Sequence, residues 1–293
     1  MKRLPFDLHI QWTIGLLFAL FWLVSALLPA AVAVATEPES AAAHPNLPIA
    51  AWSQIHETGR EIFFSRYQSS GWGQALQLSD NGKRNFLPAV ISENDGTVWV
   101  FWTSEANNQF TLQYVRIRDE VSFAPETIPT QLEQNMAPSA LVDRDGTVWL
   151  AWSSFDGTDD DIFYSVWEGS RWSHPLRLNT DDYTPDMQPL LGMDADGSPW
   201  ILWRGFDDGR YRFYFSRWNG ADWDPEEALE TDSSYLEQVR QQFASLPDLP
   251  EEIADKKKCA LHMVEAPVQS LPLFMEDFLS EPSSESPNKA SPQ

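Results

Sequence analysis

The chain has 293 residues, of which 43% are hydrophobic and 22% charged, a composition typical of a globular protein rather than a disordered one. Its 43 acidic and 20 basic residues give a net charge of −23 at pH 7. Because proteins that bind nucleic acids need a basic face, this charge argues strongly against a nucleic-acid partner, and equally against an anionic membrane surface.

The N-terminus has the pattern of an export signal. Lys2 and Arg3 supply positive charge, residues 14–28 form an apolar run that Pro29 ends, and small residues offer a cleavage site before Thr36. We therefore expect the body of the protein to be secreted or periplasmic.

The cleaved signal peptide covers residues 1–35 and is followed by a linker over residues 36–47. An uncleaved anchor is the alternative, because residues 12–35 are long enough to span a bilayer. In that case the protein contacts the membrane only through this segment, and its body still lies outside the cytoplasm.

A period of about 50 residues runs through the centre of the chain. It is clearest in four tryptophans that are spaced 50, 50 and 51 residues apart: Trp52, Trp102, Trp152 and Trp203. A fixed period of this length is typical of a repeat architecture, in which one supersecondary unit recurs. We place the four copies at residues 48–79, 87–130, 137–180 and 188–230.

Each full copy contains four strand-like stretches in which aromatic and β-branched residues alternate with period two. An Asp-Gly pair, a strong hairpin signal, joins the first stretch to the second in three copies: Asp95-Gly96, Asp145-Gly146 and Asp196-Gly197. The links between the second and third stretches read as long and unalike, over residues 53–60, 104–109, 154–160 and 205–210. Repeated four-stranded units of this length predict an all-β fold, namely a β-propeller of four blades.

Propeller geometry sorts these connections onto two ends of the fold. The tight glycine turns share one end, and the links between second and third strands share the other end with the links between blades. We call this second end the variable-loop face, and we expect a functional site there.

The first copy lacks an opening strand. The best donor is the apolar run at residues 260–264, after the basic stretch 256–258. The alternative is an open arc that a second chain closes by self-association. Residues 231–293 read as a largely irregular extension, with an amphipathic helix at 234–246 and a Ser-, Pro- and Glu-rich disordered end at 281–293.

One cysteine, Cys259, excludes an intrachain disulfide and leaves only a link between two chains. The five histidines are scattered and form no metal pattern, so we predict no histidine-based metal site.

The repeats resemble the sialidase-type propellers, also called Asp-box or BNR-repeat propellers. The features that carry the resemblance are the Pro-led first strand, the Asp-Gly turn followed by Trp, and a closing segment with Trp72, Trp172 or Trp223. The second copy comes nearest to the Asp-box, with Ser92, Asn94, Gly96 and Trp99 at the spacing of that motif.

The resemblance implies an exported propeller scaffold. A sialidase would also need three arginines from several blades, a Tyr–Glu nucleophile and an acid/base Asp. The motif that supplies the first arginine is absent, and Arg204, Arg210 and Arg212 all fall in one copy. The catalytic residues of the family therefore do not carry over.

Residues that recur in every copy are best explained by the scaffold. Turn aspartates such as Asp95 shape hairpins, and they fall short of a calcium loop, which needs more oxygen ligands. Tryptophans three residues apart on one strand, such as Trp99 and Trp102, point to opposite faces and pack between neighbouring blades.

Residues that do not recur are the better functional candidates. We expect the following on the variable-loop face: Arg204, Asp207, Asp208, Arg210 and Tyr211 in the fourth copy; Asp156, Asp159, Asp160 and Asp161 in the third; and Asp181, Asp182, Tyr183 and Asp186 between them. Such an acidic face with arginines and aromatic groups suits a polyhydroxyl ligand, calcium or a basic protein patch. Solvated loops on an acidic protein are the other interpretation.

The sequence thus predicts an exported, non-enzymatic β-propeller that binds a glycan or an extracellular protein on its variable-loop face. The alternative is a degenerate sialidase-like glycoside hydrolase. No cofactor is expected, apart from calcium as an ion that this face would suit.

Overall fold

The computed structural model describes residues 47–279, apart from residues 58, 120, 208, 231, 251–252, 254–255, 264–265, 267 and 277–278. The predicted signal or anchor over 1–35, most of the linker and the predicted disordered end at 281–293 lie outside the described residues. Asp208, a candidate site residue, does so as well. Strands dominate the described chain, which confirms the all-β prediction.

The strands follow the predicted repeat. The first unit contains β1 (Ile49–His56), β2 (Gly59–Gln68), β3 (Gly71–Trp72) and β4 (Leu76–Gln77). The second contains β5 (Arg84–Ser92), β6 (Val98–Ala106), β7 (Gln109–Arg118), β8 (Val121–Ser122) and β9 (Glu126–Thr127). The third contains β10 (Glu133–Val142), β11 (Val148–Phe155), β12 (Asp160–Val166) and β13 (Leu176–Arg177).

The fourth unit contains β14 (Asp186–Met193), β15 (Pro199–Asp207), β16 (Arg210–Arg217) and β17 (Glu227–Leu229). The chain continues through α1 (Ser234–Ala244), a 3₁₀ turn (Lys256–Lys258), β18 (Cys259–His262), β19 (Leu271–Pro272) and a second 3₁₀ turn (Leu273–Met275).

Consecutive long strands within a unit pair antiparallel. The third and fourth units are separate four-stranded sheets, in the orders β10-β11-β12-β13 and β14-β15-β16-β17. The first and second units belong to one larger sheet, in which Arg60 and Arg84 form a parallel bridge between β2 and β5.

The opening strand of the first unit comes from the C-terminal part of the chain. β18 pairs antiparallel with β1, so that Ile49 lies opposite His262 and Trp52 lies opposite Cys259. The order β18-β1-β2-β4 repeats the arrangement of the other units. The donor predicted at residues 260–264 is confirmed for residues 260–262, which lie in β18.

The apolar core is divided among four clusters that lie between units. The first and second units share one cluster, the second and third another, and the third and fourth another. The last cluster combines the fourth unit, the first unit and the C-terminal segment. Trp99 and Trp102 enter different clusters, as do the corresponding pairs in the third and fourth units, which confirms their predicted packing on opposite faces.

The C-terminal extension is more ordered than the sequence predicts. The expected helix is present as α1, and it buries Leu236 and Val239 in the cluster between the fourth and first units. Buried side chains continue from Leu271 to Leu279, because this segment fills the same cluster. The extension is thus packed on the fold as far as Leu279, and the disorder predicted for residues 281–293 lies outside the described residues.

Cys259 is buried within this segment, and burial raises the pKa of its thiol. A disulfide to a second chain would require β18 to open. Among the residues that the structure describes, no helix is long and apolar enough to cross a membrane.

The turns at one end of the units agree with the prediction, whereas most of the links at the other end are shorter than predicted. The tight turns contain glycines in the left-handed region, at Gly96 (φ 84°), Gly146 (φ 83°) and Gly197 (φ 90°), as expected. At the variable-loop face, the second unit turns through only Asn107 and Asn108, whose φ angles of 52° and 65° suit a two-residue hairpin.

The prediction of long links between the second and third strands is thus wrong for three of the four units. Paired strands continue almost to the turn in the first, second and fourth units, with His56 opposite Gly59, Ala106 opposite Gln109 and Asp207 opposite Arg210. Polar residues such as Gln54 and Glu105 read as loop in sequence, yet they extend the hairpins into solvent. In the third unit Phe155 lies opposite Asp160, so a four-residue loop over 156–159 remains.

Candidate functional site

The variable-loop face exposes large apolar and aromatic side chains. The hairpin ends carry Ile55, Phe155, Phe206 and Tyr211, and the link between the third and fourth units carries Tyr183, which is 79% exposed. Tyr183 also has a left-handed backbone (φ 69°), which is uncommon for a bulky residue. These groups belong to three different units, so the exposed surface is shared rather than confined to one hairpin.

The fourth unit brings two predicted site residues into direct contact. Arg204 lies on β15, and its guanidinium stacks over the Tyr211 ring at 4.2 Å from the centroid. The Arg204 Nη1 also donates a hydrogen bond of 3.2 Å to Gln188 Oε1. Tyr211 packs edge-on against Phe206 with a centroid distance of 5.1 Å, so its ring is held in place while 48% of the residue stays exposed.

The other predicted residues of this hairpin lie beside this pair. Asp207 forms an ion pair with Arg212, with 3.5 Å between Oδ2 and Nη1. Arg210 is exposed and lies opposite Asp207 in the strand register. The three arginines 204, 210 and 212 therefore come from adjacent strands of one unit.

The third unit brings three predicted carboxylates together. The four-residue loop and the start of β12 place one carboxylate oxygen each from Asp156, Asp159 and Asp161 within 4.8 Å of one another. We call these three residues the aspartate cluster. Asp160 alternates to the other side of the strand, where burial raises the pKa of its carboxyl group.

Arg177 on β13 neutralises part of the aspartate cluster. Its Nη2 donates to Asp156 Oδ2 at 2.5 Å, and its Nη1 lies 3.4 Å from Asp161 Oδ2. The same Nη1 lies 2.9 Å from Asp181 Oδ2 on the link to the fourth unit. Arg177 was not among the residues predicted from the sequence. It does depart from the repeat, since Arg177 lies opposite Phe163 whereas the first unit has the uncharged Gln77 opposite Phe63.

Asp182 and Tyr183 lie on the same link. The Asp182 carboxylate accepts hydrogen bonds from the Thr184 backbone and hydroxyl, at 3.0 and 2.6 Å, which fixes the turn. Asp182 is therefore engaged by the loop itself, whereas the neighbouring Tyr183 ring projects into solvent.

A buried polar junction lies beneath the aspartate cluster. Asn179 donates from Nδ2 to Asp161 Oδ1 at 2.9 Å and to Asp186 Oδ2 at 2.7 Å. Trp203 donates from Nε1 to Asp186 Oδ1 at 2.8 Å. Burial raises the pKa of Asp186 to about 7 and that of Asp161 to about 6, so both carboxyl groups titrate far above their ordinary range.

Part of this hydrogen-bond network recurs at another junction and therefore belongs to the repeated scaffold. The corresponding junction between the first and second units contains Glu61, Ser79, Asn85 and Trp102, in which Ser79 and Asn85 donate to Glu61 and Trp102 donates to Asn85. Asp161 and Asp186 thus occupy positions that bridge units elsewhere too. Asp156, Asp159 and Arg177 have no such repeated role.

The acidic residues at the opposite end shape the turns, as predicted. Asp95 Oδ1 accepts a hydrogen bond of 2.9 Å from the Thr97 backbone. Asp143 adds a role that the sequence did not reveal, since its Oδ2 accepts from the Trp149 indole at 2.8 Å. These residues stabilise the scaffold.

One concave depression of about 380 Å³ lies away from the variable-loop face, where β2 turns into β3. Its lining includes Tyr67, Trp72 and Asp248, and the Trp72 indole donates to the Asp248 carbonyl at 2.7 Å. The C-terminal segment thus closes over this part of the first unit.

The chain has no match among protein-family models and none among curated proteins. Among solved structures it is similar to a Dyadobacter fermentans protein of unknown function, with a TM-score of 0.51 and 11% identity over 80% of this chain and 78% of that one. This likeness shows a shared overall fold and nothing about activity.

Two further structures are similar at lower TM-scores. A Hadza microbial sialidase, Hz136, gives a TM-score of 0.42 and 13% identity over 60% of this chain and 46% of that one. An ulvan lyase of polysaccharide lyase family PL25 gives 0.46 and 13%, over 62% and 52%. The chain therefore spans about half the length of these two enzymes.

Proposed function

We propose that this protein is an exported β-propeller of four sialidase-like blades that binds a glycan on its variable-loop face. Four clusters between successive units support the four-blade arrangement, since each unit packs against the next and the last cluster includes the first unit. The strand that β18 adds to the first unit supports closure within one chain. The N-terminal pattern over residues 1–35 supports export.

The observation that carries glycan binding is the exposed Tyr211 ring held against Arg204. An immobilised aromatic ring offers an apolar platform for the face of a sugar, and an adjacent guanidinium offers several donors for hydroxyl or carboxylate oxygens. The scaffold does not require this pair, because the first and third units have the small Ser53 and Ser153 at the position of Arg204.

The arrangement favours binding over hydrolysis. A glycoside hydrolase needs two carboxyl groups, or an equivalent pair, across an open pocket. The sialidase type also needs arginines from several blades, whereas Arg204, Arg210 and Arg212 share one unit. A protein partner remains the other ligand class that an acidic face with exposed aromatic groups suits.

A glycan array probed with residues 36–293 tests the proposal. We expect binding to one sugar class. Tyr211→Ala should weaken that binding about 10-fold, which corresponds to about 1.4 kcal/mol, because the variant lacks the aromatic ring on which the sugar would stack. Phe123→Ala is the matched control: Phe123 is 51% exposed and lies beneath Arg116, but at the tight-turn end.

Three results would contradict the proposal. A blank array would remove the glycan and leave a protein partner as the leading ligand. Equal losses for Tyr211→Ala and Phe123→Ala would show that the variable-loop face is not the binding surface. Release of reducing sugar from a bound glycan would show a hydrolase.

A further inference from the structure

The aspartate cluster concentrates negative charge in a buried place. Asp159 is 9% exposed and Asp161 is fully buried, yet their carboxylate oxygens and that of Asp156 lie within 4.8 Å of one another. Like charges at this distance repel, and each buried carboxylate also loses hydration. Such a cluster is unfavourable unless a cation compensates it.

The protein's own cation compensates the cluster unevenly. Arg177 donates to Asp156 and approaches Asp161 and Asp181. Neither carboxylate oxygen of Asp159 accepts a hydrogen bond, although the residue is more than nine-tenths buried. Buried carboxylates without partners are rare in folded proteins, because the lost hydration is not replaced.

The surroundings of Asp159 are acidic on several sides. Burial is the largest effect that raises the pKa of Asp159. The negative charges of Asp156, Asp181 and Asp182 raise this pKa further, and Arg177 lowers it. A cation at this position would face several carboxylates and would supply the partner that the Asp159 oxygens lack.

We propose that the aspartate cluster, Asp156, Asp159 and Asp161, binds a calcium ion on the variable-loop face. The donors are all carboxylate oxygens, which hard cations prefer, and no His or Cys belongs to the cluster. Calcium accepts irregular oxygen geometry from a loop, whereas magnesium demands a near-octahedral set at short distances. The site does not depend on whether this face binds a glycan.

The ion would join the four-residue loop over 156–159 to the start of β12. The second unit does not repeat this site, because it has the two-residue Asn107-Asn108 turn in place of the loop. With three carboxylates and a competing arginine, we expect a dissociation constant of roughly 0.1–1 mM, the range of extracellular calcium modules.

Calorimetric titration of calcium into the purified protein, freed of metal with EDTA, tests the site. We expect one calcium ion per chain and a rise in Tm of several degrees at about 10 mM calcium, because an ion that binds only the folded state stabilises it. Magnesium at the same concentration should give a smaller rise. A wild-type protein with no binding heat and the same Tm in calcium and EDTA would overturn the proposal.

Asp159→Asn separates the metal site from a structural role. The variant should bind calcium at least 10-fold more weakly, while its Tm in EDTA should equal or exceed that of the wild type, since it removes an uncompensated buried charge. Asp145→Asn, which makes the same charge change on an exposed turn of the same unit, should bind calcium like the wild type. Wild-type calcium affinity in Asp159→Asn, or a lower Tm in EDTA, would overturn the assignment.

Discussion

Two junctions between units use the same hydrogen bonds but differ in charge. Between the first and second units, the Trp102 indole donates to the neutral Asn85 at 3.0 Å. Between the third and fourth units, the Trp203 indole donates to the carboxyl group of Asp186 at 2.8 Å. The scaffold therefore needs an acceptor for the indole at this position, and either an amide or a carboxyl group supplies it.

The difference shows where the chain departs from what the scaffold needs. Both junctions bury one carboxylate at corresponding positions, Glu61 in the first and Asp161 in the second. Around Trp203 the protein has further charged groups without a counterpart at the first junction, namely Asp186, Asp156, Asp159 and Arg177. Burying those groups costs stability, because charged groups lose hydration in the interior. A cost that only one junction carries is best explained by function at that junction.

The largest expected effect comes from Asp186→Asn, which makes the second junction resemble the first. The folded state holds the Asp186 proton up to a pKa of about 7, whereas the unfolded chain releases it near 3.8. Wild-type stability should therefore fall as pH rises from about 4 through 7, by up to about 4 kcal/mol from this group. Asp186→Asn should remove that part of the fall.

Denaturant unfolding of both proteins between pH 4 and pH 8 measures this effect. Asp161, with a pKa of about 6, should leave a residual fall that ends near pH 6 in the variant. Parallel stability curves for the two proteins would show that Asp186 ionises normally in the folded state.

The next effect compares Trp203→Phe with Trp102→Phe. Each change removes one indole donor from a buried acceptor and should cost about 1–3 kcal/mol. At pH 8 the loss at Trp203 should exceed the loss at Trp102 by about 1 kcal/mol, because a hydrogen bond to a charged carboxylate is stronger than one to an amide. At pH 5 this difference between the two losses should vanish, because the Asp186 carboxyl group is then protonated. A difference that does not change with pH would place its origin in packing.

The smallest effect comes from Arg177→Gln, which introduces the residue type that the first unit has at Gln77. In EDTA at pH 8, the variant should lose about 1–2 kcal/mol, because Asp156 and Asp161 lose a partly buried counter-charge. Calcium should restore most of this loss and bind more tightly than to the wild type, which thermal unfolding in EDTA and in calcium would show.

Arg171→Gln is the control for this change. Arg171 pairs with Glu168 on an exposed turn of the same unit, where solvent screens the ion pair and its contribution to stability is small. A comparable loss for both variants, without rescue by calcium, would mean that Arg177 supports the fold and not a metal site.

Much of the candidate site could be predicted from sequence. Asp159, Arg204 and Tyr211 break the repeat, and residues that the scaffold does not dictate can be recognised by that departure. Asp161 was predicted on the same ground, but it corresponds to Glu61 and belongs to the scaffold. Arg177 also departs from the repeat, since the first unit has Gln77 at that position, but the signal is weak because its strand pairs with only two residues of β12. The raised pKa of Asp186 was equally hidden, since it depends on burial between two units.

The sequence by itself determined the repeat, the strands, the Asp-Gly turns and the packing of paired tryptophans on opposite faces. These properties follow from local periodicity, which the chain carries in every copy. The tertiary structure decided how far each hairpin extends, because pairing across strands continues through polar residues that look like loop.

Tertiary structure alone also settled which groups meet. The pairing of β18 with β1 joins residues more than 190 positions apart, and the sequence could offer it only as a hypothesis. The stacking of Arg204 on Tyr211 and the unpartnered Asp159 carboxylate depend on contacts between strands and on burial. Sequence names the residue types, whereas the folded chain fixes their distances and dielectric surroundings, on which their chemistry depends.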